Sequence, residues 1–313
     1  MSSLKSNEEW YKNIFKQYRL KDDAVLFFLE ENSCDELKKI YDDFGNKKEK
    51  YSKIEKYYYN LILEKINDVD FYLKSRIKDK EHLIVKIIRD CEQDLLDGID
   101  NKKINVTNYE NVFSDLIGIR IICIHQEDQF LILDKLLKII KINRGKFYSH
   151  SDSRINVFSK RYKNLINKKI FTVHKRDEET PYESIHVNTS DNEYGIKIEI
   201  QIRTFFEEAW GEVDHSLKYP YDMNNEFLKT QMSILYFMSF AADNLISSSY
   251  RFKEEIIKTS KMKKIILNNK HTIKEIMKVF GYEENVQNDY KLKYEQIKKI
   301  LKQEESKNGK NKK

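Results

Sequence analysis

The amino-acid sequence predicts an α+β protein in which a small mixed β-sheet is flanked by helices, and three observations lead to this prediction. Only 8 glycines and 2 prolines occur in 313 residues, and so few helix breakers favour long helices. β-Branched and alternating segments are confined to about residues 115–203, whereas apolar residues recur at helical spacing before and after them. Short strands mixed with helices, without regular βαβ spacing, are typical of a mixed sheet between helices.

Composition and charge exclude several classes of protein. An apolar fraction of 40% excludes a mainly disordered chain, and no run approaches the ~18 apolar residues of a membrane span. The three cysteines are scattered, so we expect reduced thiols and neither a disulfide framework nor a zinc site. Residues 1–7 contain no apolar signal region, so we expect a cytoplasmic protein without a membrane partner. The net charge of +6 permits nucleotide or nucleic-acid partners but selects none of them.

Helices are predicted over most of the first hundred residues. Apolar residues at helical spacing predict a helix over residues 54–69 and another over residues 81–96. Helix starts are also marked by capping boxes, in which a hydroxyl and a carboxylate satisfy free amides at the first turn. This pattern occurs at Ser6 with Glu9, Ser33 with Glu36, and Thr272 with Glu275.

The central segment carries the predicted strands, and helical spacing returns after it. The strands are predicted at residues 116–124, 169–174, 183–189 and 195–203. The later helices are predicted at residues 128–141, 205–219, 226–246, 250–267, 272–280 and 288–301. This organisation divides the chain into a helical N-terminal extension (1–50), a central domain (51–221) and a helical C-terminal extension with a basic tail (222–313).

The polar faces of the predicted strands carry unusual residues. In the strand over residues 195–203 isoleucines alternate with polar residues, so Glu199 and Gln201 face away from the apolar side. His186 lies on the polar face of the preceding strand, and Arg120 lies in the middle of an otherwise apolar one. A buried guanidinium without a counter-ion costs ~3–5 kcal/mol, so an anion must lie near Arg120. The alternatives are that these faces meet solvent and that Arg120 forms a structural salt bridge.

Together with Asp115 at a strand start, these residues would form one surface. Two carboxylates, a histidine and an arginine on a sheet are typical of metal-assisted phosphate chemistry. A basic cluster lies upstream, at Arg76, Lys78, Lys80, Lys86 and Arg89. Alone, such a cluster is most often a solvated helix face. The sequence has no glycine-rich phosphate loop, so side chains would have to hold any triphosphate.

Five motifs, in order over about residues 54–221, resemble the RelA/SpoT alarmone synthetase domain. They are Arg76-x-Lys78 followed by Lys86, Asp115-Leu-Ile-Gly-Ile-Arg120, Pro181-Tyr-Glu-Ser-Ile-His186, Glu199-Ile-Gln-Ile-Arg-Thr204, and Trp210-Gly-Glu-Val-Asp-His-Ser-Leu-Lys-Tyr219. Each motif alone is weak, but their common order argues against chance. The chain therefore resembles a (p)ppGpp synthetase of the small, synthetase-only or toxin-like kind.

The resemblance implies a nucleotidyltransferase-like mixed sheet and a pyrophosphokinase with Mg²⁺ as cofactor. Such an enzyme moves the β,γ-diphosphate of ATP to the 3′-hydroxyl of GDP or GTP and releases AMP. It also implies a set of roles for the site residues. The ATP phosphates would be held by Arg76, Lys78, Lys86 and Arg120. Mg²⁺ would be held by Asp115 and Glu199, and Glu199 would also be the catalytic base. The acceptor nucleotide would be bound by Tyr182, stacked on its nucleobase, together with His186, Gln201 and Lys175.

Two departures from the family pattern leave the acceptor open. Thr180-Pro181 stands where typical members have Asn-Gly, after an acidic stretch at residues 177–179 that would repel phosphates. Glu208 replaces an asparagine that reads guanine, although a carboxylate can also accept from guanine N1 and N2. The alternatives are a toxin-like relative that modifies the tRNA 3′ end or an adenine nucleotide, and a catalytically silent nucleotide- or RNA-binding module.

The predicted partners follow from these alternatives. They are ATP and a guanine nucleotide, with tRNA as the other acceptor. The C-terminal helices would form a homo-oligomer contact, bind a neutralising partner, face RNA, or pack against the sheet.

Overall fold

The computed structural model describes residues 12–18, 20, 25, 28, 33–97, 103–177, 182–218 and 225–267. Beyond a short helical stretch at residues 12–17, nine helices and six strands are defined in this part of the chain. The helices are α1 (Cys34–Asn46), α2 (Lys48–Lys65), α3 (Lys80–Leu96), α4 (Tyr109–Val112), α5 (Gln126–Ile139), α6 (Asp152–Arg161), α7 (Lys163–Asn167), α8 (Phe205–Lys218) and α9 (Glu226–Leu267). The strands are β1 (Phe71–Ile77), β2 (Ile117–Cys123), β3 (Arg144–Ser149), β4 (Phe171–Lys175), β5 (Ser184–Ser190) and β6 (Lys197–Thr204).

All six strands form one mixed sheet in the order β1-β2-β6-β5-β3-β4. The central pair β2–β6 and the outer pair β3–β4 are parallel, whereas the other neighbours are antiparallel. Helices α2 and α5 pack against the sheet, and α8 packs against β2 and β6. The predicted α+β class, with a mixed sheet flanked by helices, is confirmed.

One face of the sheet is the core and the other is polar. In β2 up to Ile121 and in β6 up to Ile202, the isoleucines are buried and the residues between them are partly exposed, because successive side chains of a strand point to opposite sides. Ile119, Ile200 and Val187 are adjacent in register and fully buried. The opposite face is therefore free to carry the polar residues on the strands.

The structure corrects several predicted elements. The first hundred residues are not all helical, because β1 occupies residues 71–77, and β3 at residues 144–149 was also missed. The two helices predicted at residues 226–246 and 250–267 are one continuous helix, α9. The helix start at Ser33 is confirmed, since its hydroxyl accepts from the amide of Glu36. The capping boxes at Ser6 and Thr272, and the helices at 272–280 and 288–301, lie outside the described residues.

The chain divides into two compact units, residues 1–244 and residues 245–313. The first contains the sheet and all the helices up to the first half of α9. Of the second, the structure describes residues 245–267, which are helical. None of the described helices is both long and apolar enough to cross a membrane. The three-part domain division remains a prediction.

Gly145 permits β3 and β4 to lie together, and replacing it with alanine is expected to destabilise the fold. A Cβ atom there would lie 2.2 Å from the Phe171 ring, which is itself buried. Relieving such a clash in a packed core costs ~1–3 kcal/mol. Gly118→Ala is the matched control, because the nearest atom to its Cβ, on Arg76, is at an ordinary 3.7 Å. Urea denaturation measures both variants, and equal stabilities would contradict the prediction.

Candidate active site

The strand register brings most of the predicted site residues together on the polar face. Gly118 pairs with Glu199 and Arg120 pairs with Gln201 across β2 and β6. His186 pairs with Gln201 across β5 and β6. Paired residues of neighbouring strands point to the same side of a sheet. The four polar side chains therefore form one continuous surface at the centre of the sheet.

Asp115 lies just before β2, between two lysines. Its Oδ2 atom is 2.9 Å from Lys78 Nζ and 2.8 Å from Lys86 Nζ. Burial alone would raise the pKa of Asp115, but the two ammonium groups hold it below its ordinary value. Burial lowers the pKa of Lys78, and Asp115 opposes that shift only in part. Asp115 is therefore a carboxylate at neutral pH.

A cavity of about 670 Å³ opens beside this carboxylate. Four of its cations belong to the upstream basic cluster, which places that cluster around an open space. Its charged lining includes Arg76, Lys78, Lys86, Arg89 and Asp115. Lys80 is the exception, because its ammonium lies over the ring of Tyr41 at 4.3 Å. Asp79 and Asp90 also line the cavity, so four cations face three carboxylates. A cavity of this size with several cations in its walls suits a nucleotide polyphosphate accompanied by a metal cation.

His215 also lines the cavity, although sequence reasoning left it out of the site. Burial, followed by the charge of Arg76, lowers the pKa of His215. The imidazole is therefore neutral at neutral pH and adds hydrogen-bonding capacity to the cavity without adding charge. In the sequence, the motif that begins at Trp210 was the only indication that His215 belongs to the site. The position of a residue in a helix does not by itself show whether its side chain faces the sheet.

Glu199 is held on both of its oxygens. His186 Nδ1 lies 3.3 Å from Oε1, and Gln201 Nε2 donates to Oε2 at 2.8 Å. Burial and the charge of Asp115 both act to raise the pKa of Glu199, but the contact with His186 and the bond from Gln201 leave it lowered. The carboxylate is therefore ionised and oriented.

Asp115 and Glu199 are the two carboxylates predicted to hold a cation. No cluster of three His, Cys, Asp or Glu side chains suited to a metal occurs in the described part of the chain. Mg²⁺ is commonly held by one or two carboxylates, with phosphate oxygens and water supplying the remaining ligands. Asp115 Oδ1 is buried and has no hydrogen-bond partner among the described residues, so one oxygen remains for a ligand. The donor set fits Mg²⁺ accompanied by a phosphate.

The anions expected near Arg120 are supplied by α8. Arg120 Nη1 bonds to Glu208 Oε1 at 2.7 Å and also to Glu212. The second oxygen of Glu208 lies 3.0 Å from Arg203 Nη1. Of the alternatives considered from the sequence, the structure thus shows Arg120 in a structural salt bridge. Glu208, at the position where the resemblance places a guanine-reading asparagine, joins two arginines. Glu212 was not anticipated from the sequence.

The predicted acceptor residues are placed differently from one another. Tyr182 and His186 are in contact, with 2.8 Å between the hydroxyl and Nε2. Lys175 is exposed and pairs with Asp152 at 2.7 Å. Arg176, the next residue, instead lies over the Tyr148 ring at 4.9 Å. The structure therefore brings Arg176, and not Lys175, against the aromatic residues beside His186.

A buried acid network lies behind Tyr182 and was missed by sequence reasoning. We use this name for Arg154, Glu183, Glu207 and Asp243. Arg154 bonds to Glu183 and lies 3.1 Å from Glu207, and Asp243 accepts from Thr204 at 2.6 Å. One guanidinium thus faces three buried carboxylates. The network connects helix α6, the residue just before β5, helix α8 and the first half of α9.

The folded protein is expected to lose stability as pH rises through neutrality. Burial, with repulsion among the carboxylates, raises the pKa of Glu207 to about 8 and that of Asp243 to about 6. Unfolded carboxyl groups titrate near pH ~4, so the folded state binds more protons above that pH. This stability is complete below about pH 4 and is lost as pH rises through these two values. Thermal melts between pH 5 and pH 9 measure the slope, which Asp243→Asn should reduce. An equal slope in that variant would contradict the prediction.

The polar face of the sheet carries Glu199, and Asp115 lies in the adjoining cavity among four cations, an arrangement suited to binding phosphates. Residues 75–224 match the family model described as the region found in RelA / SpoT proteins. Residues 75–224 therefore contain the region found in RelA / SpoT proteins, as the order of the five motifs predicted.

Solved structures with a similar fold include small alarmone synthetases. Small alarmone synthetase 1 from Bacillus subtilis is 17% identical, with a TM-score of 0.43, over 68% of this chain and 95% of that one. Small alarmone synthetase 2 from the same organism is 21% identical, with a TM-score of 0.36, over 69% and 96%. A GTP pyrophosphokinase family protein from Streptococcus pneumoniae is 20% identical, with a TM-score of 0.37, over 67% and 88%. No curated protein matches the chain.

Proposed function

We propose that the chain is an ATP-dependent pyrophosphokinase that transfers the β,γ-diphosphate of ATP to the 3′-hydroxyl of GDP or GTP. The products are the alarmone (p)ppGpp and AMP. The RelA/SpoT region supports the reaction class. The observation that carries the proposal is Asp115, which lies in the cationic cavity with one oxygen unpartnered among the described residues, while its charge acts on Glu199.

The cationic cavity is proposed to bind ATP. Arg76, Lys78 and Lys86 would neutralise the phosphates, because a triphosphate carries more negative charge than one side chain can balance. Lys78 and Lys86 already hold one carboxylate oxygen and are therefore oriented towards an anion before ATP arrives. Arg120 would join them once its own acid partners yield to a phosphate.

Asp115 and Glu199 are proposed to hold Mg²⁺, which when bound would offset negative charge on the transferring phosphates. Glu199 would accept the proton of the acceptor hydroxyl, since a ribose hydroxyl is a poor nucleophile while it keeps its proton. The low pKa of Glu199 keeps it ionised before the reaction. Gln201 and His186 hold the carboxylate in place, so no reorientation has to accompany proton transfer.

GDP or GTP is the proposed acceptor, bound next to Tyr148, His186 and Arg176. The Arg176 guanidinium on the Tyr148 ring provides a cation for a phosphate at the edge of this surface. Because both oxygens of Glu208 already bond to arginines, guanine is not read by an unoccupied Glu208 carboxylate. That observation keeps tRNA and adenine nucleotides as acceptors to be tested beside GDP and GTP. A homo-oligomer contact through the C-terminal helices remains a prediction.

The test is diphosphate transfer from ATP labelled at the β or γ phosphate, in the presence of Mg²⁺. GDP, GTP, ATP and tRNA are supplied separately as acceptors. We expect label on the guanine nucleotides together with release of AMP. Label on tRNA alone would overturn the proposed acceptor while retaining the reaction class. No transfer to any acceptor, with ATP still bound, would indicate a silent nucleotide-binding module.

Glu212→Gln is expected to tighten ATP binding. The Glu212 carboxylate is half-exposed and bonds to Arg120, so it competes with a phosphate for that guanidinium. An exposed ion pair contributes up to ~1 kcal/mol, so its loss should raise ATP affinity by up to about fivefold. Isothermal titration calorimetry without acceptor measures the effect. Glu226→Gln is the control, since Glu226 pairs with Lys229 at the exposed start of α9. An affinity equal to or weaker than that of the wild type would refute the competition.

A further inference from the structure

Asn188 lies next to Glu199 on the polar face of the sheet. The two residues are partners in the antiparallel register of β5 and β6. Directly opposite residues of such a pair have Cβ atoms ~4.5–5.5 Å apart, and their side chains point to the same side of the sheet. Asn188 is therefore an immediate neighbour of the proposed proton acceptor, on the side of β6 away from β2 and Asp115.

The side-chain amide of Asn188 has an oxygen that no described residue satisfies. Its Oδ1 atom is buried and accepts no hydrogen bond from the part of the chain that the structure describes. Glu199 supplies no partner, because His186 and Gln201 occupy its two oxygens. The opposite neighbour of Asn188, on β3, is the exposed Arg144. Buried polar side-chain atoms are mostly hydrogen-bonded in folded proteins, so this oxygen indicates a ligand that brings a donor.

The chemistry proposed at Glu199 identifies this donor. Glu199 receives the proton of the acceptor 3′-hydroxyl, so the ribose of the acceptor must lie against it. The neighbouring group on that ribose is the 2′-hydroxyl, which is carried by the adjacent carbon on the same face of the ring. A hydroxyl has one donor and two acceptor lone pairs, so it can bond to an amide. A ribose that presents its 3′-hydroxyl to Glu199 thus brings its 2′-hydroxyl towards the next strand, where Asn188 lies.

Gln201 also has a buried oxygen without a partner among the described residues, but its amide is already oriented. Its nitrogen donates to Glu199 Oε2 at 2.8 Å. Because the oxygen and nitrogen of an amide point in different directions, the Gln201 oxygen points away from that carboxylate. The Asn188 amide has no such bond to Glu199, so it is the better placed of the two to receive the hydroxyl beside the reacting one.

We propose that Asn188 accepts a hydrogen bond from the 2′-hydroxyl of the acceptor and so makes the enzyme selective for ribonucleotides over 2′-deoxyribonucleotides. This inference rests on the proposed function, because Glu199 is there the group that receives the 3′-hydroxyl proton. The 2′-hydroxyl keeps its own proton and forms no covalent bond, since only the 3′ oxygen reacts. GDP, GTP, ATP and the 3′ end of tRNA all carry this hydroxyl, so the selectivity does not depend on which base is bound.

The test compares GTP with 2′-deoxy-GTP as acceptors of labelled diphosphate. The deoxy analogue leaves the Asn188 oxygen buried and unpaired, and the cost of such a group corresponds to ~10–100-fold in kcat/KM. We expect the wild-type protein to prefer GTP by this factor. If label reaches only tRNA, the same comparison uses tRNA that ends in 2′-deoxyadenosine. Equal kcat/KM values for the two sugars in the wild type overturn the inference.

Substitutions assign the preference to Asn188. Leucine fills similar space without a polar atom, so the preference for GTP should disappear in Asn188→Leu. Aspartate keeps an accepting oxygen, so Asn188→Asp should retain the preference even where its charge slows both nucleotides alike. Asn192→Leu, in the exposed turn between β5 and β6, is the matched control and should behave as the wild type. Damage to the fold would slow both nucleotides equally, so an unchanged preference in Asn188→Leu overturns the inference.

A binding measurement gives a second readout that needs no transfer. Calorimetry with GDP and 2′-deoxy-GDP, in the absence of ATP, should show tighter binding of GDP by the wild type and equal binding of both by Asn188→Leu. Melting temperatures identify a variant that fails to fold, and Asn188→Ala then removes the same oxygen. A wild type that transfers diphosphate to no acceptor overturns the proposed function and this inference with it. An active wild type that does not distinguish the two sugars overturns this inference alone.

Discussion

Glu199→Gln is expected to lower the rate of diphosphate transfer ~10²–10⁴-fold while leaving ATP binding largely intact. An amide has almost the same shape as the carboxylate, but it cannot accept a proton at neutral pH, and general-base catalysis contributes about that factor. The cavity proposed to bind ATP keeps Arg76, Lys78 and Lys86 in the variant, so most of the positive charge expected to hold the phosphates is unchanged. Label transfer measures the rate, and calorimetry measures ATP affinity.

The control for this substitution is Glu226→Gln, which makes the same chemical change at the exposed start of α9. It should leave both the rate and ATP binding at wild-type values. If Glu199→Gln turned over at the wild-type rate, Glu199 would have no part in the mechanism. If it lost ATP affinity to the same degree as activity, its contribution would be to binding and not to proton transfer.

Arg154→Met is expected to destabilise the folded protein by ~3–5 kcal/mol. Methionine has a similar volume but no charge, so Glu183 loses the buried guanidinium that balances it. Removing one partner of a buried ion pair has a cost of that size, because the remaining charge stays out of water. Only 1% of the Glu183 side chain is exposed, so it cannot recover its hydration without a change in the fold. Chemical denaturation measures the loss.

Arg161→Met is the matched control, because Arg161 lies on the same helix, α6, and pairs with Asp134 at the surface. Exposed pairs contribute ~0–1 kcal/mol, so we expect little change in stability. Adding Glu183→Gln to Arg154→Met should restore part of the lost stability, since the unpaired buried carboxylate is then removed. Similar losses in Arg154→Met and Arg161→Met would show that the buried acid network is not what holds these elements together.

The two central strands, β2 and β6, could be predicted because each has a local sequence pattern that is typical of a strand. Strict alternation along residues 196–203 separated Glu199 and Gln201 from the isoleucines, and the register with β2 and β5 agrees. β1 and β3 were missed because neither has a β-branched run. Their strand form depends on pairing with β2 and β5, which are distant in the sequence.

The candidate site was predictable in its residue types but not in its pairings. Arg120 clearly needed an anion, yet its acid partners are 88 and 92 residues further along the chain. Nothing in the local pattern of α8 shows that Glu208 and Glu212 meet a strand. The buried acid network was invisible for the same reason, since its members come from four different elements. The roles assigned to the site residues remain predictions.

β6 passes into α8 without an intervening loop, as Thr204 ends the strand and Phe205 begins the helix. Glu199 and the two acids that hold Arg120 therefore belong to one uninterrupted length of backbone. Under the proposed function, a phosphate that drew Arg120 away from Glu212 would release a contact on the same segment that carries Glu199. Binding of the donor nucleotide would then be linked to the proposed proton acceptor through the main chain of β6 and α8.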